Sequence, residues 1–194
     1  MIAEQKAEMR RRVQSRIRAL DPIYRADASL AMISRIRGLE VWRQSRCVLL
    51  FAPLKDEPDL WSLLTTALGE GRTVALPSFV SSNGIYGARR IVNPDRDLVT
   101  GRFGVREPGL DCQEVPLEAL DLAVVPGLAF TQEGWRLGRG GGFYDRLLKA
   151  TPALRCGVGL DEQIFVHLPA EPHDSQLDLV VTPTATHWCR RVAY

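Results

Sequence analysis

Cys47-Val48-Leu49-Leu50-Phe51 is an apolar run with no alternating polar residue, the pattern of a strand covered on both faces. Such strands belong to parallel sheets, whose neighbouring strands must be joined by a crossover. The crossover is legible directly downstream. The spacing predicts a helix over 58–68, capped by Asp56 or Glu57 and stopped by Gly69 and Gly71, and then a second buried strand over 73–76. Short buried runs return at 122–125, 156–160 and 179–181, with a helix expected over 143–150 between the first two of these. Strand and helix alternate, so the fold class is α/β with a mainly parallel sheet. Between them, 78–108 holds turn chemistry (Ser81-Ser82-Asn83-Gly84, Asn93-Pro94, Gly101 and Gly104) around extended pieces such as 85–92, and reads as a hairpin excursion beside the main sheet.

Upstream of the first strand, Met9, Val13, Ile17 and Leu20 form one apolar helical stripe opposite an arginine-rich face. Lys6 and Arg10 stand one turn apart, on a side expected to be distinct from that stripe. Asp21-Pro22 restarts the chain as an N-cap followed by proline, and Ile23, Leu30, Ile33 and Ile36 are expected to form the buried side of a second helix ending near Gly38.

A chain of 194 residues suits a single domain spanning residues 1–194, and 45% hydrophobic with 25% charged residues matches soluble globular proteins. Twenty-five basic against 23 acidic residues leave a net charge of +2, too small a field to imply a polyanion partner. No aromatic residues interleave with the basic helix, so nucleic acid is not expected. The apolar runs are too short for a bilayer, and no membrane partner is expected. The four cysteines show neither CxxC nor zinc spacing and are expected to be free thiols. Without an apolar core behind the basic N-terminus, a cytoplasmic protein is expected.

The segment richest in chemistry is Arg136-Leu137-Gly138-Arg139-Gly140-Gly141-Gly142-Phe143-Tyr144-Asp145-Arg146, between an expected strand and an expected helix. Its glycines let a ligand approach the backbone, and a helix following them points free N–H groups outward. That outlines an anion site. Arg136 and Arg139 add guanidinium forks suited to phosphate oxygens, and Asp145 is a hard oxygen ligand for a divalent cation or a tie within the loop. Phosphate with a metal suggests a nucleotide. No Gly-Lys-Ser/Thr follows, so this is not a Walker A loop, and tight turns of α/β proteins also use such glycines.

Together with Val125-Pro126-Gly127-Leu128-Ala129-Phe130 before it, this segment resembles the hallmark of the 5-formyltetrahydrofolate cyclo-ligase family, in which a strand ending Pro-Gly and a phenylalanine precede R-L-G-x-G-x-G-[YF]-Y-D-R. The resemblance extends to Lys6 and Arg10 on the first helix, to the acidic turn Leu54-Lys55-Asp56-Glu57-Pro58-Asp59, and to Gln163, Pro169 and Asp174 near the C-terminus. It implies a three-layer α/β/α fold like that of sugar-phosphate isomerases and CoA transferases. It also implies an enzyme that converts 5-formyltetrahydrofolate to 5,10-methenyltetrahydrofolate with ATP and Mg²⁺, acting as a monomer. Lys6, Arg10, Arg136, Leu137, Gly138, Arg139, Gly140, Gly141, Gly142, Phe143 and Tyr144 would bind ATP, with Arg139 catalytic. Asp145 and Asp174 would ligate Mg²⁺, and Leu54, Asp59 and Phe103 would contact folate. Some members carry a lysine where this chain has Gly141, so phosphate charge would fall to Arg139. Without the resemblance, Lys6 and Arg10 read as a solvated face. The competing reading is a non-catalytic folate- or nucleotide-binding relative acting in protein or RNA interaction. Keeping Lys6, Arg10, Arg139, Asp145 and Asp174 together argues against it, since clustered charges are costly to retain.

Overall fold

The structure, a computed structural model, describes residues 1–80, 85–101, 104–171 and 174–189. Helices α1 (Ile2–Arg18), α2 (Pro22–Gly38) and the short α3 (Glu40–Gln44) lead into β1 (Cys47–Leu49). Helix α4 (Trp61–Gly69) crosses over to β2 (Thr73–Val80), which pairs in parallel with β1. Strand β3 (Ile85–Ile91), the four-residue α5 (Pro94–Asp97), a hairpin of β4 (Leu98–Thr100) and β5 (Arg106–Pro108), and β6 (Glu114–Val115) follow. The second half contains β7 (Leu122–Pro126), β8 (Ala129–Thr131), β9 (Arg136–Leu137), α6 (Phe143–Lys149) and β10 (Leu154–Val158). It ends with β11 (Ile164–Phe165), β12 (Leu179–Val181) and β13 (Thr186–Trp188).

The main sheet runs β13-β12-β10-β7-β1-β2-β3-β6, parallel from β12 through β2 and antiparallel at both edges. Successive side chains of a strand face opposite sides, and the core divides accordingly. Val48, Leu50, Val74, Val124 and Val158 join Ile17, Met32, Ile36, Trp42 and Leu63 on the helical side. Leu49, Ala75, Ala123, Val125 and Val180 join Phe130, Leu147 and Leu148 on the other. The two clusters make the expected α/β layering. All four cysteines are free, and no helix among the described residues is long and apolar enough to cross a membrane.

Several expectations are corrected in detail. Helix α4 begins at Trp61 rather than at 58, because Asp59, not Asp56 or Glu57, accepts a hydrogen bond from the Trp61 N–H at 3.0 Å. The excursion lies beside the sheet only in part, since β4 and β5 form a sheet of their own while β2 runs on to Val80 and pairs antiparallel with β3 within the main sheet. On α2 the Asp21 cap is present, 2.7 Å from the Ile23 N–H, yet Ile23 and Leu30 are 72% and 60% exposed. Ile33 and Ile36 are buried as expected, and Ala28 and Met32 take the places of the other two. On α1, Lys6 is buried along with Val13 and Ile17, so the lysine continues the docking stripe rather than standing apart from it.

Candidate functional site

From β1 the chain moves to β2 on one side, and from β7 it moves through β10 to β12 on the other, so the order of the sheet reverses between β1 and β7. Beyond the carboxyl ends of such strands α/β sheets hold their ligands, because the diverging connections leave a crevice there. A cleft of about 610 Å³ lies at this point, lined by Ala52 and Leu54 after β1, Leu76 and Pro77 in β2, Pro126 and Gly127 at the end of β7, and the segment 136–145. The N-terminal helix closes it with Lys6 and Arg10.

The glycine segment is shaped by its own backbone. Gly140 and Gly142 have φ of +103° and +64°, in the left-handed region that favours glycine. A Cβ on Gly138 would lie 2.9 Å from Arg136 Nη1, and one on Gly141 would lie 2.3 Å from the Phe143 ring. A lysine at 141 therefore requires that ring to move. Arg10 Nε donates to the Gly138 carbonyl at 2.9 Å and so ties α1 to the segment. Buried Gln163 donates to the carbonyls of Gly127 and Leu128 at 2.8 and 2.9 Å and accepts from the Leu160 N–H at 2.7 Å, fixing the turn after β7.

Each cation of the cleft has carboxylate neighbours or a carbonyl. Lys6 Nζ lies 2.8 Å from Glu171 and 2.7 Å from Asp174. Burial pulls its pKa down, but the hydrogen bonds and charges of Asp174 and Glu171 more than offset this, leaving it above the ordinary lysine value. Arg136 is buried, donating to the Pro126 carbonyl at 3.2 Å and to Asp145 at 3.1 Å, with its guanidinium over the Tyr144 ring. Arg139 reaches across to Asp56 at 2.5 Å and Glu57 at 3.1 Å in the acidic turn after β1. Burial raises the Glu57 carboxyl above its ordinary range, against the lowering effects of the Leu54 N–H and Arg139.

The structure thus brings together Lys6, Arg10, Leu54, the whole of 136–145 and Asp174. It does not bring Asp59, which is exposed and spent on starting α4. Phe103 lies outside the described residues. Asp145 also accepts from the Ser175 N–H at 3.3 Å, which draws it toward the Asp174 segment. No cluster of three or more His, Cys, Asp or Glu suited to a metal is present among the described residues, and the two expected metal ligands, Asp145 and Asp174, both line the cleft. Glu57, Glu107 and Glu171 also line the cleft and were missed by sequence reasoning. Glu57 alone had a signal, its place in the acidic turn.

The 5-formyltetrahydrofolate cyclo-ligase of Mycolicibacterium smegmatis is 33% identical over 192 residues, covering 94% of this chain and 96% of that protein. That of Escherichia coli K12 is 32% identical over 179 residues, covering 89% and 97%. Among solved structures, 5,10-methenyltetrahydrofolate synthetase of Aquifex aeolicus matches with a TM-score of 0.87 and 33% identity over 97% of this chain and 95% of that one. A synthetase from Mycoplasma pneumoniae, at TM-score 0.72 and 20% identity, shares the fold. With residues 2–183 also matched by the family as a whole, the chain belongs to the 5-formyltetrahydrofolate cyclo-ligase family of ligases.

Proposed function

We propose that the protein converts 5-formyltetrahydrofolate to 5,10-methenyltetrahydrofolate using ATP and Mg²⁺, releasing ADP and phosphate, as a monomer in the cytoplasm. One observation carries this reading: a glycine segment with left-handed residues, five cations and apolar walls share a single cleft at the point where the sheet order reverses. The formyl oxygen is a poor leaving group until it attacks the γ-phosphorus of ATP and displaces ADP. Nitrogen 10 then attacks the formyl carbon and loses its proton, and phosphate leaves with the oxygen as the ring closes. No protein nucleophile is needed, which suits a cleft of arginines, glycines and carboxylates. The work left to the protein is alignment and charge stabilisation.

Lys6 and Arg10 hold the phosphates from the side of α1, and the N–H groups of Gly138, Gly140, Gly141 and Gly142, which carry no side chain, serve them from the other side. Arg139 is the catalytic cation, moving from Asp56 and Glu57 toward the transferring phosphoryl group. Arg136 positions Asp145. Asp145 and Asp174 would hold Mg²⁺, an ion that accepts one or two carboxylates and completes its shell with water and phosphate oxygens. When bound, it supplies charge neutralisation to the phosphates. Leu54 supplies an apolar contact for the folate.

Incubation with 5-formyltetrahydrofolate and MgATP tests the reading by methenyl absorbance in the near ultraviolet. An ATP-dependent rise is expected. Calorimetric binding of both compounds with no absorbance change would instead support the binding-only relative.

A further inference from the structure

Glu107 sits in the cleft on β5, half-buried, and no hydrogen bond or ion pair holds it among the described residues. The other cleft carboxylates are committed, Glu57 to Arg139, Asp145 to Arg136, and Glu171 and Asp174 to Lys6. The neighbouring Arg106 turns elsewhere, its guanidinium 5.1 Å over the Trp61 ring and its Nη2 donating to the Pro94 carbonyl at 3.0 Å. The Glu107 carboxyl is not loose. It packs over Gly101, where a Cβ would lie 2.3 Å from Glu107 Cδ, so the glycine makes its place. Apolar residues Ala52, Leu54, Leu76, Pro77 and Val105 wall the same cleft. Burial pushes the carboxyl above the ordinary glutamate range.

An unpaired, partly desolvated carboxylate weakens a fold unless a ligand completes it. Its two oxygens suit a pair of parallel N–H donors on a flat group that apolar walls can sandwich. The pteridine of a folate offers that pair, the ring N3–H beside the exocyclic 2-amino group. We propose that Glu107 is the specificity residue that recognises this 2-amino-pyrimidine edge of 5-formyltetrahydrofolate. The assignment rests on the folate reading above. Nitrogen 5 lies on the other ring of the pteridine, so holding the pyrimidine edge at Glu107 leaves the formyl group free to face the glycine segment.

The test compares the parent protein with Glu107→Ala and Glu107→Gln. Expected for Glu107→Ala is a rise of roughly 10- to 100-fold in KM and calorimetric Kd for 5-formyltetrahydrofolate, with kcat and the KM for ATP held within about threefold. Glu107→Gln, which keeps one acceptor, falls between and remains informative if the alanine variant melts. A 2-desamino analogue of the substrate should bind the parent roughly 10-fold or more weakly than the substrate, and Glu107→Ala should lose that discrimination. Unchanged folate affinity in both variants, or discrimination that survives in Glu107→Ala, overturns the proposal. A parent that binds folate without turnover sinks the catalytic reading alone, since the affinity comparison still scores Glu107. A parent that binds no folate sinks both.

Discussion

Lys6 is drawn into the core side of α1 because Glu171 and Asp174 meet it there, 165 and 168 residues further along the chain. Truncating it leaves two carboxylates facing one another at the cleft edge. Lys6→Ala is therefore expected to lower stability by about 2 kcal/mol, below the ~3–5 kcal/mol of a fully buried pair because Glu171 is 35% exposed. Urea denaturation checks the loss, and calorimetry should show weaker ATP binding in the same variant. Arg139→Ala should reduce turnover at saturating substrates by about 10²- to 10³-fold, the scale for removing one transition-state donor. A loss in KM alone would mean that the arginine only binds. Glu57 adds a pH dependence. Its folded pKa lies above the unfolded value of about 4.5, so the fold favours the neutral acid. That advantage is full below about pH 4.5 and is lost as pH rises through the folded value, leaving a charged carboxylate that opposes folding. Glu57→Gln should thus be more stable than the parent at pH 7, with the gain vanishing near pH 4 in denaturation series. A gain that persists at pH 4 would trace to something other than the charge.

The segment 138–142 is where glycine matters as conformation and not only as space. At Gly142, φ of +64° sits directly before α6, and Ala there is expected to cost about 1–2 kcal/mol, with Asn costing less because its side chain tolerates the left-handed region. Melting of the two variants checks the order, and equal losses would point to the Arg146 contact 3.1 Å away from a Cβ rather than to φ. At this scale the sequence was most readable where burial is two-sided. The runs of β1, β7 and β12 are apolar at every position, and no other element presents that pattern so plainly. It was least readable where one local rule competed with another. Pro58 resembles a first helical residue, but Asp59 caps the turn after it. Ile23 and Leu30 fall at helical spacing yet face outward, because Ala28 and Met32 pack closer to the sheet. The turn residues of 78–108 read as an excursion beside the sheet, although β2 and β3 pair within it.

On the scale of the whole molecule, the site is built from parts that sequence cannot place side by side: α1, the turn after β1, β5, the glycine segment, and Glu171 with Asp174. The motif at 136–146 was legible because its residues are contiguous. The Arg139 pairing with Asp56 and Glu57 was not, since it spans more than eighty positions and depends on strand order. Because the cleft joins both halves of the chain at the reversal of the sheet, a ligand filling it should stabilise the entire fold. MgATP at about a hundred times its Kd is expected to add about 2.7 kcal/mol, or roughly 5–10 °C in melting temperature for a chain of this size. ATP in excess chelator should give a clearly smaller shift, since Asp145 and Asp174 then face the phosphates with no cation between them. Activity should vanish in the same buffer and return with added Mg²⁺. An ATP shift that is identical with and without chelator would remove these two aspartates from the metal reading while leaving the phosphate contacts of Lys6, Arg10 and the glycine segment in place.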